Sequence, residues 1–436
     1  MTTIVRTDDA ARTATRVEGD DAQHLRMSTI DRQFLGQSTL GVMDNVDAPS
    51  MGDLRGTLAR LHRIQPEHPF FRRIDRTGDV PRWSLVSGRD LEAHLHEVVV
   101  ESSIPSDESI ERVCDTVVHE RMGDLPLKVR WSGERLTSTF DHGLGDARIL
   151  CWLYASLVLA ARHRDPTMLI QSRGVRAPLA RAFAHHFGRR PARVVDVVRQ
   201  PRPAPGWLDP DGAPYDVNDV FSVFAVMSAE TGAELRRWRD QAAPGAGIGA
   251  VLGSAFARAV TGQGIELVSP GVNVLLDARR YLPTGTVVNE GFVTSTYVEP
   301  DDLFDPRQLS RATAQALESG RPLAGMGASY ARSMLPGGRG ESVPEGRASR
   351  PIARLSVSHV QKPPLYDLLP WIGGPSKARY GPVSPSYGTI GLGLVTLEIG
   401  GRTHLGVMGR SPAHPRAACR TIVDSLAADP VGVLRG

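Results

Sequence analysis

The stretch whose reading decides the fold runs Arg135-Leu-Thr-Ser-Thr-Phe-Asp-His-Gly-Leu-Gly-Asp-Ala-Arg148 and continues into an apolar-striped segment ending at His163. Leu136, Ser138 and Phe140 alternate with Thr137, Thr139 and Asp141 at the period of a strand, whereas Ile149, Leu150, Leu153, Tyr154 and Leu157 recur at helical spacing. The predicted strand ends at Asp141, a turn carries His142, Gly143 and Gly145, and the helix opens at Asp146. Backbone at such a junction is held from both sides, as a general base requires, so His142 is the leading catalytic candidate. On spacing alone, the pair also reads as an exposed loop histidine followed by a helix-capping aspartate.

Outward from this stretch, the chain reads as two halves. Its 436 residues exceed one ordinary core, and 41% hydrophobic with 23% charged residues is the composition of a folded globular protein. No window is apolar for long enough to span a membrane, and the N-terminus lacks the apolar centre of a secretory signal. Cys114, Cys151 and Cys419 are too few and too scattered for a disulfide framework or a structural zinc site, so no metal and a reducing, cytoplasmic setting are expected. A net charge of +3 leaves no nucleic-acid footprint. The local basic cluster of Arg173, Arg176, Arg181, Arg189, Arg190 and Arg193 reads either as a solvated face or as an anion site for a phosphorylated carrier.

The expected organisation is a disordered lead-in over 1–22, a first lobe over 23–199, a proline-rich linker over 200–216 and a second lobe over 217–436. In the first lobe, Leu54, Leu58, Leu61 and Ile64 mark an amphipathic helix. Ser106 looks like the N-cap of a helix burying Ile110, Val113, Cys114 and Val117, and Leu127–Trp131 forms a hairpin with the strand that delivers His142. The tandem His185-His186 reads as surface or packing residues. In the second lobe, Phe221–Met227 reads as a strand and Thr231 with Glu234 as a capping box. A buried-face helix follows from Ile248. The glycines before it have the wrong spacing for a dinucleotide site. Asn273–Arg280 and Val287–Tyr297 read as strands, Gly320–Arg350 as a long loop, Leu355–Val360, Thr389–Ile399 and Thr403–Met408 as strands, and Pro415–Ala428 as a closing helix. No nucleophile elbow, phosphate loop, H-E-x-x-H or C-x-x-C accompanies them.

The order of these features resembles the superfamily of coenzyme A- or carrier-dependent acyltransferases that includes chloramphenicol acetyltransferase, peptide-synthetase condensation domains and polyketide-associated acyltransferases. The matching features are Leu54–Arg72, the strand with His142-x-x-x-Asp146 and its long helix, the Asp277-x-Arg279 strand, and Ser356-Val357-Ser358. The resemblance implies an α+β fold of two similar lobes, meeting in a V around a central tunnel with His142 midway. It implies that His142 is the general base and that Asp146 is structural, turned away to pair with an arginine, for which Arg279 is the choice. Read without the resemblance, Arg279 is a surface residue at a strand end. Asp141, Gly145, Ser356 and Ser358 are the candidates for supporting the site or donating to an oxyanion.

The family pattern His-His-x-x-x-Asp-Gly is altered at both ends here, to Asp141 and Ala147, and a carboxylate at 141 is expected to raise the pKa of the base. The activity implied is transfer of an acyl group from a thioester of coenzyme A or of a phosphopantetheinyl carrier protein to a hydroxyl of a lipid, sugar or polyketide. No bound cofactor is required. A free-standing amide-forming condensation enzyme and a non-catalytic carrier-binding relative are the alternatives.

Overall fold

The computed structural model describes residues 23–188, 192, 193, 195, 197, 212–216, 218–333, 346–383 and 389–436. The lead-in over 1–22, the linker residues 200–211, and Arg189 and Arg190 of the basic cluster lie outside the described residues. Two sheets organise the rest. The first runs, in spatial order, Arg379–Val383, Ser38–Asp44, Arg135–Asp141, Leu127–Ser132 and Val99–Glu101, antiparallel except for its last pair. The larger runs Val293–Val298, Val272–Asp277, Ile352–Val360, Gly391–Ile399, Arg402–Arg410 and Val220–Met227, with Glu266–Leu267 also pairing with Ile352–Val360. One strand of the first sheet therefore comes from the second half of the chain.

The long helix Ala147–His163 packs into the first core, where Leu153, Leu157 and Val158 are fully buried. The helix Ile248–Gly262 buries Val251, Ala255 and Val260 in the second core, against the closing helix Arg416–Ala428. Two smaller apolar clusters hold the halves together. One joins Ile30 and Ala182 to Ala278, Phe292 and Leu323, and the other joins Leu40, Val42 and Val113 to Val383, Val395 and Met408. Arg420 adds an ion pair to Glu111 at 2.7 Å, and Arg416 one to Asp115 at 2.7 Å. The chain's halves are fastened by apolar contact first and by half-exposed charge second.

Several local expectations require correction. Ser109, not Ser106, caps the helix Ile110–Val117, its hydroxyl accepting from Arg112 N at 3.2 Å, because Pro105 and Glu108 close a turn first. Ser228, not Thr231, caps Ala229–Ala242, so the Thr231/Glu234 box lies inside the helix. Ile64 ends its helix half exposed rather than buried. The strand expected over Asn273–Arg280 stops at Asp277 and turns into a short 3-10 segment, Ala278–Tyr281, while the next begins only at Val293.

The largest departure is Gly320–Arg350. Arg321–Ser333 is a helix burying Leu323 and Met326, residues 334–345 lie outside the described residues, and Gly346–Ala348 is a short strand. Two of the glycines that suggest a loop have other roles. A Cβ on Gly327 would lie 2.5 Å from the Phe183 ring, and Gly320 caps the preceding helix with φ +79°. His185 and His186 pack in the same region, His185 against the Tyr281 carbonyl at 3.1 Å and His186 edge-on to the Tyr281 ring.

Leu153→Ala removes a fully buried side chain from the centre of the long helix. It is expected to lower the free energy of unfolding by about 2–5 kcal/mol, read as a shift of the urea midpoint at unchanged slope.

Candidate active site

The turn after Arg135–Asp141 is built by its own backbone and by the segment that follows the helix Thr29–Phe34. His142 N donates to the Gln37 carbonyl at 2.7 Å, and Gly145 N donates to the His142 carbonyl at 3.2 Å. The imidazole stacks on Phe34 with ring centroids 4.7 Å apart and planes 27° from parallel. Both glycines are dictated by crowding. A Cβ on Gly143 would meet Asp141 Oδ1 at 2.9 Å and the Asp31 carbonyl at 3.0 Å, and one on Gly145 would meet Ile149 Cγ2 at 3.0 Å. Gly145 thus spends its N–H on the turn, which removes it as an oxyanion donor.

Asp141 also holds the turn, accepting from Gly36 N at 2.8 Å and Gly143 N at 2.8 Å. Burial pushes its carboxyl above the usual range, against those two hydrogen bonds and Arg76. The expectation that Asp141 raises the pKa of the neighbouring imidazole is overturned. Burial pulls His142 below the ordinary imidazole range, and the opposing pulls come from its own backbone and from Asp146. The Asp141 oxygens are engaged by backbone donors that spread their charge locally.

Asp146 is the N-cap of the long helix. Its Oδ1 accepts from Arg148 N at 3.1 Å and Ile149 N at 3.3 Å, and its Oδ2 accepts from Arg279 Nη1 at 2.6 Å and Phe292 N at 2.8 Å. Its side chain is 3% exposed and that of Arg279 13%. The turn Ala278–Tyr281 directs Arg279, which also contacts Asp277 at 3.2 Å and donates to the Glu290 carbonyl at 3.2 Å. Burial disfavours the guanidinium charge, but the pairing with Asp146 and Asp277 outweighs it and holds the Arg279 pKa above its ordinary value. Asp146 and Arg279 join the two halves beside His142, turned into each other.

His142, Asp146 and Arg279 lie on the wall of a cavity of about 590 Å³ whose lining comes from both halves of the chain and is mainly apolar. Ser358 lines it; Ser356 does not, being buried within its strand at 6% exposure. Of the two imidazole nitrogens, Nδ1 is the buried one. Phe34, Thr39, Tyr154, His359, Tyr366 and Tyr380 also belong to this site and are not singled out by the sequence. Tyr154 had a signal, since Ala147, Leu150, Cys151 and Tyr154 continue one helical stripe from Asp146. Tyr380 had none, because it arrives on a strand inserted from the far half.

Among the described residues, no cluster of His, Cys, Asp or Glu is arranged to hold a metal, and no helix is long and apolar enough to cross a membrane. The cysteines are free and buried.

No family model matches the sequence, and a search of curated proteins finds no match. Solved structures do match over almost the full length. The chain is similar to the trichothecene 15-O-acetyltransferase of Fusarium sporotrichioides, at 12% identity and TM-score 0.59 over 97% of this chain and 96% of that one. The chain has that fold. It is also similar to the epimerization domain from the third module of tyrocidine synthetase B, at 14% identity and TM-score 0.56 over 98% of both chains. A third match is F. graminearum TRI101 complexed with ethyl coenzyme A, at 13% identity and TM-score 0.53 over 94% of this chain and 97% of that one. The mixed helix-and-sheet architecture read from the sequence is therefore the architecture of these acetyltransferase and epimerization structures.

Two outcomes test the site's construction. Arg279→Ala strands the Asp146 carboxylate and is expected to cost about 3–5 kcal/mol of stability. Adding Asp146→Ala should cost much less than the sum of the single changes, and strict additivity in that cycle would deny the coupling.

The second concerns Asp31, whose backbone carbonyl abuts Gly143. Burial and Glu290 push its carboxyl up to about 7, against hydrogen bonds from Ser28 and the charge of Arg72. An acid whose pKa rises on folding contributes stability below about pH 4 that is lost as the pH climbs through about 7. Asp31→Asn cannot ionise, so its stability relative to the native chain should rise across that window. A pH-independent difference in urea midpoint would contradict this.

Proposed function

We propose that the chain is an acyltransferase moving an acyl group from a thioester of coenzyme A or a carrier protein to a hydroxyl acceptor, with His142 as general base. The observation that carries this reading is a fixed imidazole on the wall of a mainly apolar cavity shared by both halves, with the neighbouring carboxylate withdrawn into Arg279. The fold likeness to an acetyltransferase and to a structure holding ethyl coenzyme A supports it.

In the proposed reaction, His142 Nε2 takes the proton of the acceptor hydroxyl as its oxygen attacks the thioester carbonyl. The C–O bond forms, the tetrahedral intermediate collapses with cleavage of C–S, and the same imidazole returns the proton to the leaving thiolate. The products are an ester and a free thiol. Nδ1 is the buried nitrogen and the ring is clamped on Phe34, which leaves Nε2 as the nitrogen for the transfer. Burial favours neutral imidazole, the form that accepts a proton. Ser358, on the cavity wall, is the better placed of the two serines to donate to the oxyanion. Asp146 and Arg279 fix the turn and touch no reacting atom in this scheme.

The test is thiol release and product mass spectrometry with a panel of acyl-coenzyme A and carrier-bound thioesters, each offered matched alcohols and amines. His142→Ala is expected to lower kcat by about 10²–10⁴-fold in protein whose thermal transition shows it folded, and unaltered transfer by that variant would sink the proposal. In the native chain, kcat/KM should rise with pH through a single step below the ordinary imidazole range and then stay level, because the working form is deprotonated and burial lowers its pKa.

A further inference from the structure

The imidazole of His142 lies face to face with the ring of Phe34, centroids 4.7 Å apart and planes 27° from parallel. His142 lines the cavity and Phe34 does not, so the phenyl ring acts on a reaction there only through the histidine. Phe34 ends the helix Thr29–Phe34, whose six residues are too few to hold a helix alone. Its start is closed by a capping box, in which Asp31 N donates to the Ser28 hydroxyl at 3.0 Å and Ser28 N to the Asp31 carboxylate at 3.3 Å. Ile30, 3% exposed, anchors it in the cluster that contains Ala278, Phe292 and Leu323 of the far half, and Phe34 packs on the margin of that cluster. Downstream, Gly36 N donates to Asp141 and His142 N donates to the Gln37 carbonyl. The phenyl ring is therefore fixed from both ends, by the far half and by the turn it covers.

A general base carries a positive charge for part of each turnover, and a buried charge needs a counterpart. The nearby carboxylates are committed elsewhere. Asp146, the charged group that acts on the ring, is neutralised by Arg279 at 2.6 Å. Asp141, on the strand, has its oxygens on Gly36 N and Gly143 N. Asp31, on the helix of Phe34, closes the capping box and feels the charge of Glu290, and Arg32 turns to the Thr29 hydroxyl at 2.8 Å. What lies against the imidazole itself is a π face, whose negative potential attracts a cation within about 6 Å of the ring centroid. The 4.7 Å separation is inside that reach.

We propose that Phe34 is a positioning residue for the transfer: its ring face stabilises the imidazolium that exists while His142 holds the acceptor proton, and it fixes the plane of the imidazole. The inference rests on the acyl-transfer reading for its consequence in turnover. The contact itself, and its effect on proton affinity, hold whatever reaction the chain performs. Phe34 exchanges no atom; the proton passes from the acceptor oxygen to Nε2 and on to the leaving thiolate. A ring that only filled space would be replaceable by any apolar group of the same volume, whereas a ring acting through its face loses effect as electron density is withdrawn from it.

The experiment places mono-, tri- and pentafluorophenylalanine at position 34 of the full chain, which nearly keeps the shape of the ring while draining its face. His142 is titrated by NMR in chain carrying labelled histidine, its signal being the one missing from His142→Ala. Proton affinity should fall stepwise along the series, by about 2- to 5-fold for the pentafluoro form. It should fall by a similar factor in Phe34→Leu, which decides the question if the fluorinated chain lacks a cooperative thermal transition. On the pH plateau, kcat should drop by a similar factor with KM within about 2-fold, since the imidazolium loses its support and the substrate is not touched. Proton affinity that is unchanged or raised along the series would overturn the inference, as would a KM effect without a kcat effect. A stepwise fall in affinity in a chain that transfers no acyl group from any thioester would instead count against the proposed reaction, and would leave the role of Phe34 toward the imidazole standing.

Discussion

The Asp146 carboxylate is the constraint on which the arrangement depends. One oxygen closes the first turn of the long helix through Arg148 N and Ile149 N, while the other takes Arg279 and Phe292 N from the far half of the chain. A nearly inaccessible charge of this kind is tolerable only when fully paired. Its pairing fixes three things together: where the helix starts, where the turn bearing His142 sits, and how the two halves meet. The apolar clusters around Ile30 with Phe292 and around Leu40 with Val395 then supply the bulk of the adhesion between halves.

The environment of His142 follows from that frame. Gly143 and Gly145 let the turn fold so tightly that the Asp31 carbonyl and Ile149 sit where side chains would otherwise be. Phe34 covers one face of the ring and the Gln37 carbonyl anchors its backbone. Burial lowers the affinity of the imidazole for a proton, which makes it a weaker base but keeps it in the form that can act as one near neutral pH. Asp141 stabilises the turn rather than the imidazolium, since its oxygens are held by Gly36 N and Gly143 N.

Much of this was legible because periodicity is local. The alternation through Phe140, the apolar stripe from Ile149 to Leu157, and the glycine-flanked histidine between them place a strand, a turn and a helix at the boundaries the structure shows within a residue. The two misplaced caps share one cause. Ser106 and Thr231 carry the chemistry of caps, but Ser109 and Ser228, three residues away in each case, carry it as well, and only the geometry of the preceding turn selects between them. The glycines of Arg321–Ser333 suggested a loop because glycine is a poor helix former, whereas at Gly327 a neighbouring Phe183 ring occupies the space that a side chain would need.

The sequence by itself determined the strand through Phe140 and the helix through Leu157, that an imidazole stands at the junction between them, and that this helix begins with an acid. These follow from residue type and short-range spacing. Only the tertiary structure decided that Tyr380 and Pro382, carried on a strand from the second half, complete the first sheet and line the cavity together with Tyr154, that the Asp141 carboxylate is taken up by Gly36 N and Gly143 N, and that Ser358 rather than Ser356 reaches the cavity. Such facts depend on which strands pair across hundreds of residues and on which atoms burial leaves without water, and neither quantity is encoded in any short window of the chain.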